Sequence, residues 1–212
     1  KNEIEKYSKL GNRVLLFGKY EGKLDGKELT NEVIPYALII INNPIRDNAV
    51  ETFKYFEEQG VEIKVISGDN PITVSEIAKK AKIKNADKYI DATELKTTKD
   101  IANAVTKYTV FGRVTPDQKR KLIQQLKKKG NTVAMTGDGV NDVLALKDAD
   151  CSVAMASGSQ AAVQASQLVL LESDFSKMPD VVKEGRRVVN NLQCSGSLFL
   201  VKNIFSVITA IL

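Results

Sequence analysis

A chain of 212 residues is long enough for one large α/β domain, or for a domain with parts of its neighbours. Its 43% apolar and 27% charged residues exclude a disordered chain, and its net charge of +5 comes from lysines spread along the sequence without interleaved aromatics, so no nucleic-acid partner is expected and a cytoplasmic domain beside a membrane suits it better. There is no histidine, which excludes a Ser-His-Asp triad and a histidine-ligated metal and leaves carboxylates, lysine, hydroxyls and a hard metal ion as the available chemistry.

In chain order, Val14–Phe17 and Tyr36–Ile41 read as two strands joined by the polar, Gly-rich segment Gly18–Asn31, a hairpin of a separate domain. Asn42-Asn43-Pro44 reads as a turn or linker. Beyond it, short apolar runs alternate with helix-period segments, the pattern of βαβ units and a mainly parallel sheet. Val61–Ile66, Thr132–Met135, Cys151–Met155 and Leu168–Leu171 predict strands buried on both faces. Asp47–Gln59 puts Val50, Phe53 and Phe56 on one face of a helix that Gly60 ends. Asn70-Pro71 and Thr115-Pro116 each combine an N-cap with proline at the first helical position, and Gln118 completes a capping box with Thr115. Lys127-Lys128-Lys129-Gly130 is the C-terminus of that helix, where lysines complement the dipole. Cys151 and Cys194 are far apart and read as reduced packing residues. The apolar run Leu198–Leu212 is shorter than the about 20 residues a bilayer span needs. It reads either as a C-terminal core helix or as a membrane helix interrupted by the end of the sequence. With no methionine at Lys1 and no signal-peptide pattern, both ends are expected to be cut.

Three segments carry chemistry. Thr136-Gly137-Asp138-Gly139-Val140-Asn141-Asp142 follows an apolar run and precedes a helical pattern, so it lies at the carboxyl end of a strand, where open parallel sheets bind ligands. Asp138 and Asp142 there supply a ligand and an anchor for Mg²⁺, Asn141 can donate to a phosphate oxygen, and the glycines permit a close approach. Ser67-Gly68-Asp69 follows the apolar run Val61–Ile66 and opens a helix, an arrangement that makes an anion site or an ordinary turn. In Arg113-Val114-Thr115-Pro116-Asp117-Gln118-Lys119, Lys119 sits in the first turn of a helix, where the dipole disfavours a cation unless an anion is near.

Together these strings resemble motifs of the haloacid-dehalogenase superfamily, and the longer patterns resemble P-type cation ATPases. The latter include Gly137-Asp138-Gly139-Val140-Asn141-Asp142, Ala149-Asp150-x-x-x-Ala154-Met155, Ala165-Ser166 with Leu168–Leu171, and Glu184-Gly185-Arg186-Arg187 with Asn190-Asn191. The resemblance runs from about Leu10 to Leu212. It implies an α/β fold, a HAD-like (Rossmann-like) parallel sheet with helices on both faces, plus a small β remnant of a second domain. Residues 1–42 would end a nucleotide-binding domain, 43–190 would form the phosphorylation domain, and 191–212 the stalk and the start of a transmembrane helix.

The resemblance also implies roles. Ser67 binds the transferred phosphoryl, with Gly68 and Asp69 at the nucleotide. Lys119 neutralises phosphoryl oxygens. Asp138 ligates Mg²⁺ with Asp142 close behind it, Asn141 meets phosphate, and Arg113 and Arg13 lie near ATP. The function implied is ATP-driven cation transport through an aspartyl phosphate, in an integral protein of the plasma membrane with these domains in the cytoplasm. The nucleophile of such pumps lies in an Asp-Lys-Thr-Gly-Thr loop, which is absent here. Asp91-Ala92-Thr93 lacks the Gly-Thr and the buried strand before it, so the chain alone is expected not to autophosphorylate. Two departures stand out: Asn43-Pro44-Ile45-Arg46 where the family's hinge reads Asp-Pro-x-Arg, and Val143-Leu144 where a small residue and proline are usual. Counting from Asn190-Asn191, Asn203 falls on a membrane-helix asparagine of calcium and sodium–potassium pumps, and Ser206 replaces a cation-binding glutamate of the calcium pumps. Lys202 beside them is either functional or snorkels to the interface. The resemblance at Asn203 thus implies calcium or a related divalent cation as cargo and membrane lipid as a neighbour, and this segment holds no paired-cysteine motif of the heavy-metal pumps. A soluble phosphatase of the same superfamily is the alternative.

Overall fold

The computed structural model describes residues 2–22, 26, 29, 31–42 and 44–211. Asn43, and with it the start of the expected hinge, lies outside the described residues, as does part of the Gly18–Asn31 connection. Two compact units divide the chain, Lys1–Ser173 and Asp174–Leu212.

In the first unit, helix α1 (Asn2–Lys9) leads into an antiparallel hairpin of β1 (Arg13–Tyr20) and β2 (Val33–Ile41), paired from Arg13↔Ile41 to Tyr20↔Val33. The strands are longer than the apolar runs because the ladder carries polar end residues along. Leu15, Leu16, Phe17, Ile34, Tyr36, Ile39, Ile40 and Ile41 all remain exposed. A lone hairpin with apolar faces has little to stabilise it. It is tethered through its entry, where Lys80 donates to the Leu10 carbonyl at 2.7 Å.

The rest of the unit is βαβ. Helix α2 (Ala49–Glu58) precedes β3 (Val65–Ile66), α3 (Pro71–Lys80), β4 (Tyr89–Asp91), α4 (Thr98–Lys107), β5 (Val110–Gly112) and α5 (Pro116–Lys128). There follow β6 (Ala134–Gly137), α6 (Val143–Asp148), β7 (Cys151–Met155), α7 (Gln160–Ala165) and β8 (Leu168–Leu170). The expected single sheet is divided into two parallel ones, ordered β3-β5-β4 and β6-β7-β8. Within the first, β5 is buried throughout, and its alternation sets the layers. Val110 packs with Val74, Ala78 and Ile83 and with Phe53 of α2, whereas Phe111 packs with Ile101 and Val105 of α4 and Leu122 of α5. Helices therefore cover both faces. A further cluster joins Ile123, Val133, Met135, Leu146 and Ala162, and Ile66 of β3 packs against this cluster as well as that of Phe111.

Two expectations change. Of the run Val61–Ile66 only Val65–Ile66 is strand, because β5, its one ladder partner, begins at Val110. Nor are all four runs buried on both faces: in β6 Met135 is buried but Ala134 and Thr136 are exposed, and Leu168 of β8 and Leu171 just after it are exposed too. β3 and β6 are each an outer strand of their sheets.

The second unit is a short 3-10 turn and α8 (Met178–Ile211), a continuous helix of 34 residues. It is much longer than the apolar run Leu198–Leu212 alone. The helical stretch Phe175–Ile211 is long and apolar enough to cross a membrane, with a mean hydropathy of 1.6 in its most apolar window and none of that window buried.

Candidate active site

The site is made of strand exits. After β3, the Ser67 amide donates to the Phe111 carbonyl at 2.9 Å, which prolongs the ladder by one residue. The Ser67 hydroxyl then accepts the Asp69 N–H at 3.1 Å, and its own hydrogen stays available to donate. Asn70 caps α3 by accepting from the Ile72 amide at 2.9 Å, with Pro71 in the first turn. The chain thus leaves β3 as a tight turn that exposes Gly68 and Asp69 at the start of a helix.

After β5, Arg113 takes a left-handed φ of 52°. Its amide donates to the Asp69 carbonyl at 2.8 Å, and the Val114 amide donates to the Ser67 carbonyl at 3.0 Å, so this exit is joined to that of β3. Thr115 and Gln118 form the expected reciprocal cap: the Thr115 hydroxyl accepts from the Gln118 amide at 3.3 Å and the Gln118 side chain accepts from the Thr115 amide at 3.1 Å. That cap orients the first turn of α5 and so aims Lys119.

The anion that Lys119 requires is Asp142. Its ammonium lies 2.7 Å from Asp142 Oδ1, and the two side chains are only 14% and 10% exposed. Asp142 Oδ2 accepts the Gly139 amide at 3.2 Å. Both carboxylate oxygens are therefore engaged. A Cβ on Gly137 would stand 2.7 Å from that of Asp142, so only glycine lets the loop fold back this far. Asp138 is the opposite case. Its side chain is exposed and has no hydrogen-bond or ionic partner among the described residues, while its backbone carbonyl accepts the Ser159 amide at 2.7 Å. Asn141 is exposed beside it.

Because Lys119 follows β5 and Asp142 follows β6, their contact puts the carboxyl ends of both sheets at one end of the unit. Ser67, Lys119, Asp138 and Asp142 all lie there. Arg13 reaches this end from the hairpin, with Nε 3.9 Å from Asp69 Oδ1. Asn203 is in the second unit. A separate polar group, beginning one residue after Lys119, runs along α5. Asp148 accepts from Arg120 Nε at 2.8 Å and from Gln124 at 2.7 Å, and Lys127 reaches Asp150 at 2.9 Å.

Two features are visible only in the fold: the pairing of Asp91 with Arg113 and the turn after β7. Asp91, set aside as a nucleophile, ends β4 and pairs with Arg113 at 2.7 Å. The Ser157-Gly158-Ser159 turn after β7 packs on the Asp138 loop so closely that a Cβ on Gly158 would stand 2.7 Å from the Asp138 carbonyl oxygen. The same strand-exit reasoning that found Ser67 and Asp138 applies to both.

The donors suit Mg²⁺ and a phosphate group. Asp138 offers an unshared carboxylate, and no cluster of three or more metal-ligating side chains occurs among the described residues. Magnesium typically takes one or two carboxylates and completes its shell with phosphate oxygens and water.

Comparison with known proteins shows the family. Residues 2–150 match the haloacid dehalogenase-like hydrolase family. A probable cation-transporting ATPase, exp7, of Streptococcus pneumoniae is 46% identical over 204 residues, 95% of this chain and 26% of that protein. The calcium-transporting ATPase CtpE of Mycolicibacterium smegmatis is 45% identical over 211 residues, 99% of this chain and 26% of its own length. The chain thus spans about a quarter of these curated relatives. The crystal structure of a zinc-transporting PIB-type ATPase in the E2.Pi state superposes with a TM-score of 0.63 over 91% of this chain and 26% of that one, and at 20% identity the likeness is one of fold.

Proposed function

The chain belongs to the haloacid dehalogenase-like hydrolase family, and we propose that it supplies the phosphoryl-handling centre of an ATP-driven cation pump that works through an aspartyl phosphate. The observation that carries this reading is the division of labour at the strand ends: Lys119 neutralised by Asp142, with the Asp138 carboxylate and the Ser67 hydroxyl left free for a ligand.

In this reading the Ser67 hydroxyl donates to an oxygen of the transferred phosphoryl group, and the Lys119 ammonium neutralises charge that develops on it. Asp142 acts through Lys119, holding the ammonium in place. Asn141 donates its amide to phosphate, while Gly68, Asp69, Arg13 and Arg113 meet the nucleotide. Asp138, with Asp142 behind it, would hold Mg²⁺, which would supply positive charge to offset that of the phosphoryl group. The nucleophilic aspartate arrives from elsewhere in a longer protein. We assign its strand to the open edges of β3 and β6, since each is an outer strand of its sheet and Ile66 of β3 packs on the cluster around Met135. Residues 1–42 would then complete a nucleotide domain, 43–190 the phosphorylation domain, and 191–212 part of a membrane span.

Calcium is the cargo we favour. The likeness to a calcium-transporting relative supports it, and the Asn203 carboxamide on α8 is the ligand this chain would contribute among membrane lipid and further helices. The plasma membrane is the location we assign. The test is uptake of radioactive calcium by inside-out vesicles containing the full protein. ATP-dependent uptake that Asp138→Asn abolishes is expected. ATP hydrolysis that calcium does not stimulate would refute the choice of ion, and absence of ATP hydrolysis with every cation would refute the pump.

A further inference from the structure

Asp91 has an arrangement that the chemistry above does not use. Its Oδ1 accepts both the Thr93 amide, at 3.0 Å, and the Thr93 hydroxyl, at 2.7 Å. Those two local bonds fix the carboxylate at the exit of β4. The other oxygen, Oδ2, is presented to Arg113 and lies 2.7 Å from its Nη1. The Asp91 side chain is 18% exposed and that of Arg113 is 51% exposed, so the pair has a sheltered acid and an open base.

Arg113 is itself held in an unusual way. Its φ of 52° lies in the left-handed region, which disfavours an ordinary side chain. The conformation persists because its amide is bound to the Asp69 carbonyl and the next amide to the Ser67 carbonyl. A guanidinium has five N–H donors, and Asp91 occupies one of its nitrogens. Among the described residues the remaining donors have no partner, and they lie next to the turn that carries Ser67 and Asp69. A tie between β4 and β5 would not need this pair, since those strands already pair from Tyr89↔Val110 to Asp91↔Gly112.

We propose that Asp91 is a positioning residue for nucleotide, a fixed carboxylate that holds the Arg113 guanidinium at the strand exits and leaves its other N–H groups for a nucleoside triphosphate. This rests on the pump reading for the identity of the ligand. Asp91 touches no reacting atom, so its loss weakens binding and leaves the chemical step alone.

The test is ATP hydrolysis by the full protein as a function of ATP concentration. Asp91→Asn retains the acceptor for Thr93 but loses the charge opposite Arg113. It is expected to raise KM for ATP about five- to tenfold, with kcat changed less than about twofold. Asp91→Glu is expected to recover most of the affinity, and Thr93→Ala to shift KM less than about twofold. In an Arg113→Ala background, Asp91→Asn should add no further loss. Losses that multiply in the double variant, or an Asp91→Asn effect confined to kcat, would overturn the proposal while leaving the pump reading intact. A protein that hydrolyses no ATP in any form would overturn both.

Discussion

Lys119 and Asp142 follow strands of two different sheets, yet their charged groups meet at 2.7 Å with both side chains largely shielded from water. The pair is therefore structural as well as electrostatic, because either charge alone would be left desolvated. Asp142→Asn in the 212-residue chain should lower unfolding stability by about 3 kcal/mol. Asp138→Asn, at an exposed carboxylate without a partner, should change it by less than about 0.5 kcal/mol. Urea unfolding of the two variants measures the contrast, and equal losses would mean that the pair does not tie the two halves of the unit.

Arg120, the residue after Lys119 on α5, gives a pH dependence. The hydrogen bond from Arg120 holds the Asp148 carboxyl below its ordinary range, partial burial opposes this, and Gln124 adds to the lowering. The folded state thus binds the proton more weakly than the unfolded chain. Its contribution to stability is complete above the unfolded value of about 4 and is lost as pH falls through the lower folded value. Asp148→Asn should flatten the acid limb of a stability–pH curve and leave the slope near neutrality unchanged. An acid limb identical to that of the parent would exclude Asp148 as a contributor.

How far the sequence disclosed this arrangement depends on how local each signal is. Helix caps are local: Asn70-Pro71 and Thr115-Pro116 with Gln118 set the starts of α3 and α5 where they were expected. The turns after β3 and β6 were legible because glycine, hydroxyl and carboxylate residues follow apolar runs directly. The strands β4 and β5 were missed, since three residues each is too short for a periodic signal, and burial of Val110 and Phe111 comes from helices brought in by the fold. The division into two sheets was equally hidden. Alternation and composition report which residues can be strands, whereas the neighbours of β3 and β6 are a matter of tertiary pairing. Lys119 shows an intermediate case: its misplaced charge in a helix's first turn called for an anion, but only the fold identifies Asp142 as that anion.

The 212-residue chain should not form a phosphoenzyme by itself. Asp91 is the carboxylate nearest in sequence context to the missing nucleophile, and it is occupied by Thr93 and Arg113. Asp142 is occupied by Lys119 and the Gly139 amide. Both carboxylates are held by these contacts, and no aspartate of the chain, Asp138 included, stands in an Asp-Lys-Thr-Gly-Thr loop. Incubation with radioactive ATP and magnesium followed by acid precipitation should leave no label on the protein. Acid-stable label that persists in Asp91→Asn and Asp142→Asn would point to a different carboxylate and overturn the assignment of the nucleophile to another segment.

In the full protein the two acidic residues of the Asp138 loop should separate by their response to magnesium. Asp138 is exposed and unpaired, so its carboxylate is free to bind a metal directly, and Asp138→Asn removes charge that the transfer step needs. Asp142 spends both oxygens on Lys119 and the loop, so Asp142→Asn acts through a displaced ammonium. Loss of such a supporting partner typically costs about 10- to 100-fold. Phosphoenzyme formation titrated with magnesium should therefore be undetectable for Asp138→Asn at every concentration. For Asp142→Asn it should be reduced in rate, with the half-saturating magnesium shifted far less than the rate itself. Rescue of Asp138→Asn by excess magnesium, with no rescue of Asp142→Asn, would reverse the two roles and make Asp142 the direct ligand.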